Sequence, residues 1–183
     1  QVGVFGTATT CVEMTTDKAS IIFDGGSGIR NYSEHIMRGP ASQGKAEFHI
    51  FMTHFHWDHL IGLPFFAPNF IPGNTINYYA VQPDLEEIIR GKFKKPYFPV
   101  PFEALGSNIK FHTLKPRETL KLGDLNIVPY ELDHPDPCWG FRVETQGKVY
   151  AHCVDTEATR TTRESLGPDL PLYQGIDVMY FDA

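Results

Sequence analysis

One short segment limits what this chain can fold into more than any other. Residues 54–59, HFHWDH, place four metal-binding side chains within six residues, directly after an apolar run. Imidazole and carboxylate groups at this density indicate a transition-metal site. Residues i and i+2 of an extended segment point the same way, so we expect His54 and His56 to close on one ion. Asp58 and His59, at the turn into the next element, would reach a second ion.

The size and charge of the chain narrow its class. With 183 residues, 42% of them hydrophobic, it is long enough for one domain with a substantial core, and we predict a single domain over residues 1–183. The formal net charge of −6 argues against broad nucleic-acid binding, which needs clustered Lys and Arg. We therefore expect a small anionic substrate held at a metal and no nucleic-acid polymer as partner.

The cysteines and the apolar runs indicate where such a protein works. Cys11, Cys138 and Cys153 are odd in number and have no CxxC spacing, which argues against a disulfide framework and a zinc ribbon. No apolar run approaches the roughly 18–20 residues of a membrane span, and the first residues have no basic-then-apolar signal pattern. A cytoplasmic protein without a membrane partner is the resulting expectation.

Strand signals dominate the rest of the chain. A hairpin is expected over 11–23, and Gln146–Gly147 are expected to form a second hairpin turn. Helices are predicted at 29–37 and 83–90, with a further helix starting at Asp58. Strands are predicted at 47–53, 76–81, 109–114, 125–131, 139–145, 147–154 and 176–181.

Two further candidate ligands each close a predicted strand. His134 lies in the sequence LDHP, and Asp155 lies in HCVDTE. Taken alone, a His before Pro is more often a turn residue, and an Asp before Thr is usually a helix cap. Beside segment 54–59, both become candidate ligands, and a carboxylate such as Asp155 could bridge two cations. Water held between the cations would be acidified towards neutrality.

These residues together resemble a known superfamily. The order of the candidate residues is similar to that of the metallo-β-lactamase superfamily. It runs from Asp24-Gly25-Gly26 through His54-x-His56-x-Asp58-His59 to His134 and Asp155. The surrounding residues resemble the branch that holds ribonuclease Z and the phosphoribosyl cyclic phosphodiesterases. The resemblance is found in segments 53–66, 97–100 and 154–157 and in His134-Pro135. The resemblance implies an α/β fold of the metallo-β-lactamase type, a four-layer αβ/βα sandwich with metals at one edge, lacking its C-terminal end in this sequence.

The resemblance also implies a role for each candidate residue. Two divalent metal ions are expected, zinc foremost, with manganese or iron compatible with the same ligands. Family members use one more histidine near the C-terminal end, and we expect it to follow Ala183. The implied roles are His54, His56 and His134 on the first metal, Asp58 and His59 on the second, Asp155 as the bridge, Asp58 as the catalytic residue, and Asp24 as the residue that orients a ligand histidine.

The chemistry expected from this branch is hydrolysis of a small phosphodiester, such as a cyclic nucleotide or a cyclic phosphoribosyl compound, by a metal-bound hydroxide. His56 stands where redox di-iron relatives carry Glu, and His59 is usual in phosphodiesterase-like relatives. No counterpart of the basic, glycine-rich arm of ribonuclease Z is evident. Two alternatives stay open: a thioester or lactone hydrolase similar to glyoxalase II, and an inactive metal-binding regulatory module.

Three other features have competing interpretations. The basic segment 90–95 could steer a phosphate, although a solvated helix end is expected. The aromatic segments 64–72 and 96–102 could roof the site, form the face of a homodimer, or pack in the core. Trp57 and Trp139 could stack on a base, but burial in the core is the expected outcome.

Overall fold

The computed structural model describes residues 6–182, so Gln1 and Ala183, the ends of the predicted single domain, lie outside the described residues. Two compact units make up the described chain: residues 6–14 with Ser20–His112, and residues 15–19 with 113–182. The prediction of one domain stays a prediction. Within the described part of the chain, no helix is long and apolar enough to cross a membrane.

The first unit is built on a five-stranded sheet in the order β1-β2-β3-β4-β5. Strands β2, β3 and β4 run parallel, with Phe23 paired to Phe51 and Phe51 to Tyr79. Parallel strands of this kind end at the same edge of the sheet, so the residues that follow β2 and β3 meet there. The elements are β1 Val12–Thr15, β2 Ser20–Phe23, α1 Gly28–Ile36, β3 Glu47–Phe51, α2 Trp57–Leu60, β4 Thr75–Ala80, α3 Leu85–Lys92 and β5 Asn108–Thr113.

The core of the first unit explains why its central strands read as continuous apolar runs. Ile22, Ile50 and Tyr78 occupy one row across the three parallel strands, and each is buried. Strands covered on both faces lose the apolar-polar alternation of a half-exposed sheet. Helix α1 adds Ile29 to this core, and α3 adds Ile89.

The second unit contains a five-stranded sheet in the order β10-β9-β8-β7-β6. Its strands are antiparallel except for β10, which runs parallel to β9. Gln146 and Gly147 join β8 to β9, both with positive φ, as a type I′ hairpin turn requires. The elements are β6 Leu120–Leu122, β7 Leu125–Glu131, β8 Trp139–Thr145, β9 Lys148–Cys153, α4 Arg163–Leu166 and β10 Val178–Phe181.

Most of the predicted elements are present, with boundaries shifted by at most two residues. The predicted bounds of β7 and β8 coincide with the observed ones. The predicted strand 47–53 ends at Phe51, because the backbone N–H of Thr53 donates to the side chain of Asp24. Strand β6 was not predicted, since three residues are too few to give a periodic signal.

Three glycines, Gly25, Gly26 and Gly62, let the turn after β2 approach helix α2 closely. Gly25 N–H donates to the carbonyl of His59, and Gly62 N–H donates to the carbonyl of Gly25, at 2.8 and 2.9 Å. A Cβ added at Gly26 would lie 2.5 Å from the carbonyl oxygen of Thr10 and closer still to that of Asp58. Backbone atoms on both sides leave no room for a side chain, so this turn requires glycine.

We predict that Gly26→Ala lowers the free energy of unfolding by about 1–3 kcal/mol, because the added methyl group forces backbone apart in a packed region. Urea denaturation followed by circular dichroism measures the change. Gly91→Ala is the matched control, since an added Cβ there meets no atom within 4 Å and Ala favours helix. Equal losses in the two variants would contradict the close-approach argument.

Candidate metal centre

The histidine-rich segment begins where β3 leaves the sheet. Met52 still donates to the carbonyl of Tyr79, and the chain then turns outward through Thr53 into His54. His56 has extended backbone angles (φ −65°, ψ 155°) and precedes the first turn of α2. The segment therefore lies at the sheet edge where β2 also ends and Asp24 follows. Loops at such edges present side chains on a rigid scaffold.

Three imidazole rings lie together at this edge. The ring centroids of His54 and His56 are 4.5 Å apart, and those of His54 and His59 are 4.1 Å apart. His54 and His59 are buried, whereas His56 is half-buried. Ring nitrogens of His54 and His56 lie within 4.8 Å of each other, a separation that one ion can span.

Asp58 and His59 form a second pair of candidate ligands. Nε2 of His59 is 3.4 Å from Oδ2 of Asp58. The Asp58 side chain is 54% exposed, so its carboxylate can reach a bound ion or a substrate from the solvent side. The buried ring and the exposed carboxylate differ in how freely they can move.

The carboxylate of Asp24 fixes the ring of His59. Asp24 is fully buried, and its Oδ2 lies 2.9 Å from Nδ1 of His59. An ionised carboxylate only accepts hydrogen bonds, so Asp24 favours the tautomer with the proton on Nδ1, in which Nε2, on the side of Asp58, can bind a metal ion. A carboxylate behind a histidine ring is the arrangement typical of metal-ligating histidines. The donor set therefore fits a divalent transition metal.

Thr53 is a functional position that sequence reasoning missed. Its backbone N–H donates to Asp24 Oδ1 at 2.9 Å, and its hydroxyl donates to Asp24 Oδ2 at 2.9 Å. The same hydroxyl oxygen lies 3.1 Å from Nδ1 of His54. A hydroxyl residue directly before the first histidine of the motif was the available signal.

In the second unit, His134 and Asp155 come together at the ends of two strands. His134 follows β7 by three residues, and Asp155 follows β9 by two. A ring nitrogen of His134 and a carboxylate oxygen of Asp155 lie within 4.8 Å of each other. Both side chains are half-buried and line a pocket of about 390 Å³ together with Glu157 and Asp182. These two residues are candidate ligands of the second unit.

The loop that carries Asp155 is held by the residue before His134. The Asp133 carbonyl accepts from the N–H of Glu157 at 2.7 Å, and its carboxylate accepts from the hydroxyl of Thr159 and from the backbone and side chain of Arg160. Burial acts to raise the pKa of Asp133, but the hydrogen bonds from Arg160 and Thr159 outweigh it and hold the pKa below its ordinary value.

Arg160 also anchors the loop to a buried carboxylate. Its Nη1 donates to Asp169 at 2.9 Å, and Asp169 receives two more hydrogen bonds from Arg117. Asp155 itself has a positive φ of 53°, a conformation that a non-glycine residue adopts at some energetic cost. The hydrogen bonds of Asp133 and Arg160 offset that cost, and sequence reasoning missed both residues.

Three of the histidines without ligand spacing have structural partners, namely His49, His112 and His152. Nδ1 of His49 lies 3.0 Å from the hydroxyl of Tyr79, and burial lowers the pKa of His49. Nε2 of His112 lies 3.1 Å from Oδ1 of Asn77. The ring of His152 packs against Tyr180 with centroids 5.4 Å apart. These contacts agree with packed sheet positions.

Comparison with known proteins places this arrangement in a family. The model of the β-lactamase superfamily domain matches residues 20–183. Ribonuclease BN of Cronobacter sakazakii is 28% identical over 159 residues, which cover 84% of this chain and 46% of that protein. Ribonuclease Z of Staphylococcus carnosus is 25% identical over 138 residues, covering 70% of this chain and 41% of that protein. The chain thus spans less than half the length of these relatives.

Solved structures with low sequence identity share the fold. The metallo-β-lactamase fold protein YhfI from Bacillus subtilis has a TM-score of 0.64 at 18% identity and covers 94% of this chain and 62% of its own. Human tRNase Z, short form, has a TM-score of 0.62 at 18% identity, covering 93% and 70%. The predicted α/β fold of the metallo-β-lactamase type is confirmed. The chain belongs to the β-lactamase superfamily, and within it to the branch that resembles ribonuclease Z.

Proposed function

We propose that the protein is a metal-dependent hydrolase of phosphodiester bonds and that its substrate is RNA. The observation that carries the proposal is the buried contact between Asp24 and Nδ1 of His59, which presents Nε2 towards the exposed carboxylate of Asp58. A ring oriented in this way is prepared for a metal ion before the ion arrives. The relatives named ribonuclease BN and ribonuclease Z support RNA as the substrate class.

The proposed metal ligands are those that the sequence motif predicts. His54, His56 and His134 would hold a first divalent ion, Asp58 and His59 a second, and Asp155 would bridge them. Imidazole nitrogen and carboxylate oxygen are ligands that zinc accepts, and manganese or iron binds the same types. When bound, two such ions polarise a phosphate oxygen and lower the pKa of water enough to provide a nucleophile at neutral pH.

The side chains of this chain would divide the remaining work. Asp58, the exposed carboxylate, would orient the attacking water and accept its proton, because it reaches the solvent side of the site. Asp24 and Thr53 would hold the rings of His59 and His54 in fixed orientations. The bonds between Asp133 and Arg160 would keep Asp155 in its strained loop conformation.

A small phosphodiester is the second candidate substrate. It was expected because a chain of net charge −6 is not built for broad nucleic-acid binding. The relatives weigh against it, since both are named as ribonucleases. Hydrolysis assays of the metal-loaded protein distinguish the candidates. Single-stranded RNA tests RNA cleavage, a cyclic nucleotide tests small-substrate cleavage, and a thioester tests the glyoxalase II-like alternative. Turnover of the thioester alone would overturn the proposal.

We expect Asp58→Ala to lower kcat for RNA cleavage by about 10²–10⁴-fold, because a positioned proton acceptor contributes about that much. The side chain is 54% exposed, so circular dichroism and the unfolding midpoint of the metal-free protein should be unchanged. Asp17→Ala, at an exposed position away from the motif, is the matched control. Retention of near-normal kcat by a folded, metal-loaded Asp58→Ala would contradict the assigned role.

We expect Asp24→Asn to weaken metal binding by about 10–100-fold, as loss of the group behind a ligand histidine typically does. The amide can offer its NH₂ to Nδ1 and so favours the wrong histidine tautomer. Metal content after dialysis against a graded chelator series measures the loss. Asp17→Asn provides the control, and equal metal affinity in the two variants would show that Asp24 serves only the packing of unit 1.

Arg160→Ala should remove two charge-assisted anchors, one to Asp133 and one to Asp169. Hydrogen bonds to charged groups contribute about 1.5–3 kcal/mol each, so we expect a loss of about 2 kcal/mol or more in urea denaturation. Arg163→Ala, an exposed arginine in α4, should change the midpoint little. Equal midpoints for the two variants would mean that the network is not needed to hold the loop.

A further inference from the structure

Large apolar side chains are exposed in the first unit around the histidine-rich segment. Trp57 is 63% exposed, Ile61 47%, Phe65 55% and Tyr97 80%. The expectation that Trp57 packs in the core is therefore wrong. Exposed aromatic surface of this kind beside a functional site marks a place where another molecule binds. We refer to Trp57, Ile61, Phe65 and Tyr97 as the aromatic rim.

The backbone arranges the rim residues as a continuous feature. Trp57 opens α2, Ile61 directly follows its last residue, and Phe65 ends the 3₁₀ turn Leu63–Phe65. The ring of Phe65 packs edge to face on Phe98, with centroids 5.7 Å apart. Phe98 directly follows Tyr97, so the two segments of the rim adjoin through this pair.

A lysine adds positive charge to the aromatic rim. Nζ of Lys92 lies 4.1 Å from the centroid of the Trp57 ring, and burial lowers the pKa of Lys92. Lys94 and Lys95 are exposed between Lys92 and Tyr97. Lys94 and Lys95 share a pocket with the carboxylates of Asp84, Glu86, Glu87 and Glu103, so Lys92 is the cation that the structure places against the rim. An anionic partner is therefore favoured at this surface.

We propose that the aromatic rim binds single-stranded RNA, with an unpaired base next to the scissile phosphate stacked on Trp57 and a neighbouring phosphate held by Lys92. This inference rests on the proposed function. Aromatic side chains flanked by Lys are the recurrent platform for single-stranded nucleic acids, because every base has a stacking face. Trp57 lies between His56 and Asp58, so a base on its ring belongs to a nucleotide close to the metal ligands.

A second copy of the chain fits the rim less well than RNA does. In a symmetric dimer centred on the rim, each patch would meet its own copy. Lys92 of both copies would then come together, and Asp58, the acidic residue next to Trp57 in the sequence, is a proposed metal ligand. Like charges brought together in an interface are unfavourable.

Tryptophan fluorescence provides a direct test of stacking. The chain has two tryptophans, so Trp139→Phe leaves Trp57 as the reporter. Titration of this metal-loaded variant with a short single-stranded phosphorothioate RNA should quench the emission of Trp57 as the complex forms. In fluorescence anisotropy with labelled RNA, Trp57→Ala should raise Kd about tenfold, and Trp57→Phe should restore most of the affinity.

RNA with and without the stacking base distinguishes base stacking from phosphate contact. RNA with an abasic nucleotide beside the mapped cleavage site should bind wild type and Trp57→Ala equally, because the group that stacks is gone. Lys92→Ala should weaken intact and abasic RNA alike, with Lys110→Ala, an exposed lysine on β5, as the control. An equal loss on both RNAs for Trp57→Ala would overturn the stacking role.

The remaining outcomes distinguish this inference from the proposed function. RNA cleavage with normal KM by Trp57→Ala would overturn the rim as the RNA-binding surface and leave the hydrolase intact. RNA binding and quenching without cleavage of any phosphodiester by the metal-loaded wild type would overturn the proposed function instead. A wild-type dimer in light scattering that Ile61→Glu dissociates, with unchanged RNA affinity, would assign the rim to a second copy and overturn the inference.

Discussion

The buried carboxylate of Asp24 is the group on which the sheet edge of the first unit depends. A carboxylate removed from water is costly unless hydrogen bonds replace its solvation. Asp24 receives them from the backbone and hydroxyl of Thr53 and from the ring of His59. The same bonds that make its burial tolerable therefore fix the start of the motif and the orientation of a candidate ligand. Gly26, directly beyond the turn, lets α2 approach closely enough for this.

Much of this architecture could be predicted from the sequence because the signals are local. Apolar runs bounded by turn residues gave β7 and β8 with the observed bounds, and Gln146–Gly147 gave the turn after β8. The motif spacing placed His54 and His56 together, since alternation along an extended segment is a property of the backbone. Asp24 was named through the family resemblance, and the structure places its Oδ2 2.9 Å from Nδ1 of His59.

What could not be predicted depends on contacts between distant positions. Asp133 and Arg160 are 27 residues apart, and Arg117 lies 52 residues from Asp169, so no local pattern relates them. Trp57 was misjudged for a different reason. Hydrophobic size alone suggests burial, but a residue placed between two groups of inward-facing ligands at the start of a short helix has to point elsewhere. The motif contained that signal.

The net charge of the whole chain is a weak guide to its substrate, because charged side chains act over short distances. Screening at physiological ionic strength limits electrostatic attraction to about 8 Å, so a phosphate at the site responds to the residues beside it. Beside the Trp57 ring, Nζ of Lys92 provides a positive charge. Acidic side chains elsewhere on the chain repel polyanions from the surfaces around them. Trp57 and Lys92 still offer an aromatic and basic surface next to the candidate ligands. An acidic protein can in this way act on RNA without binding it broadly.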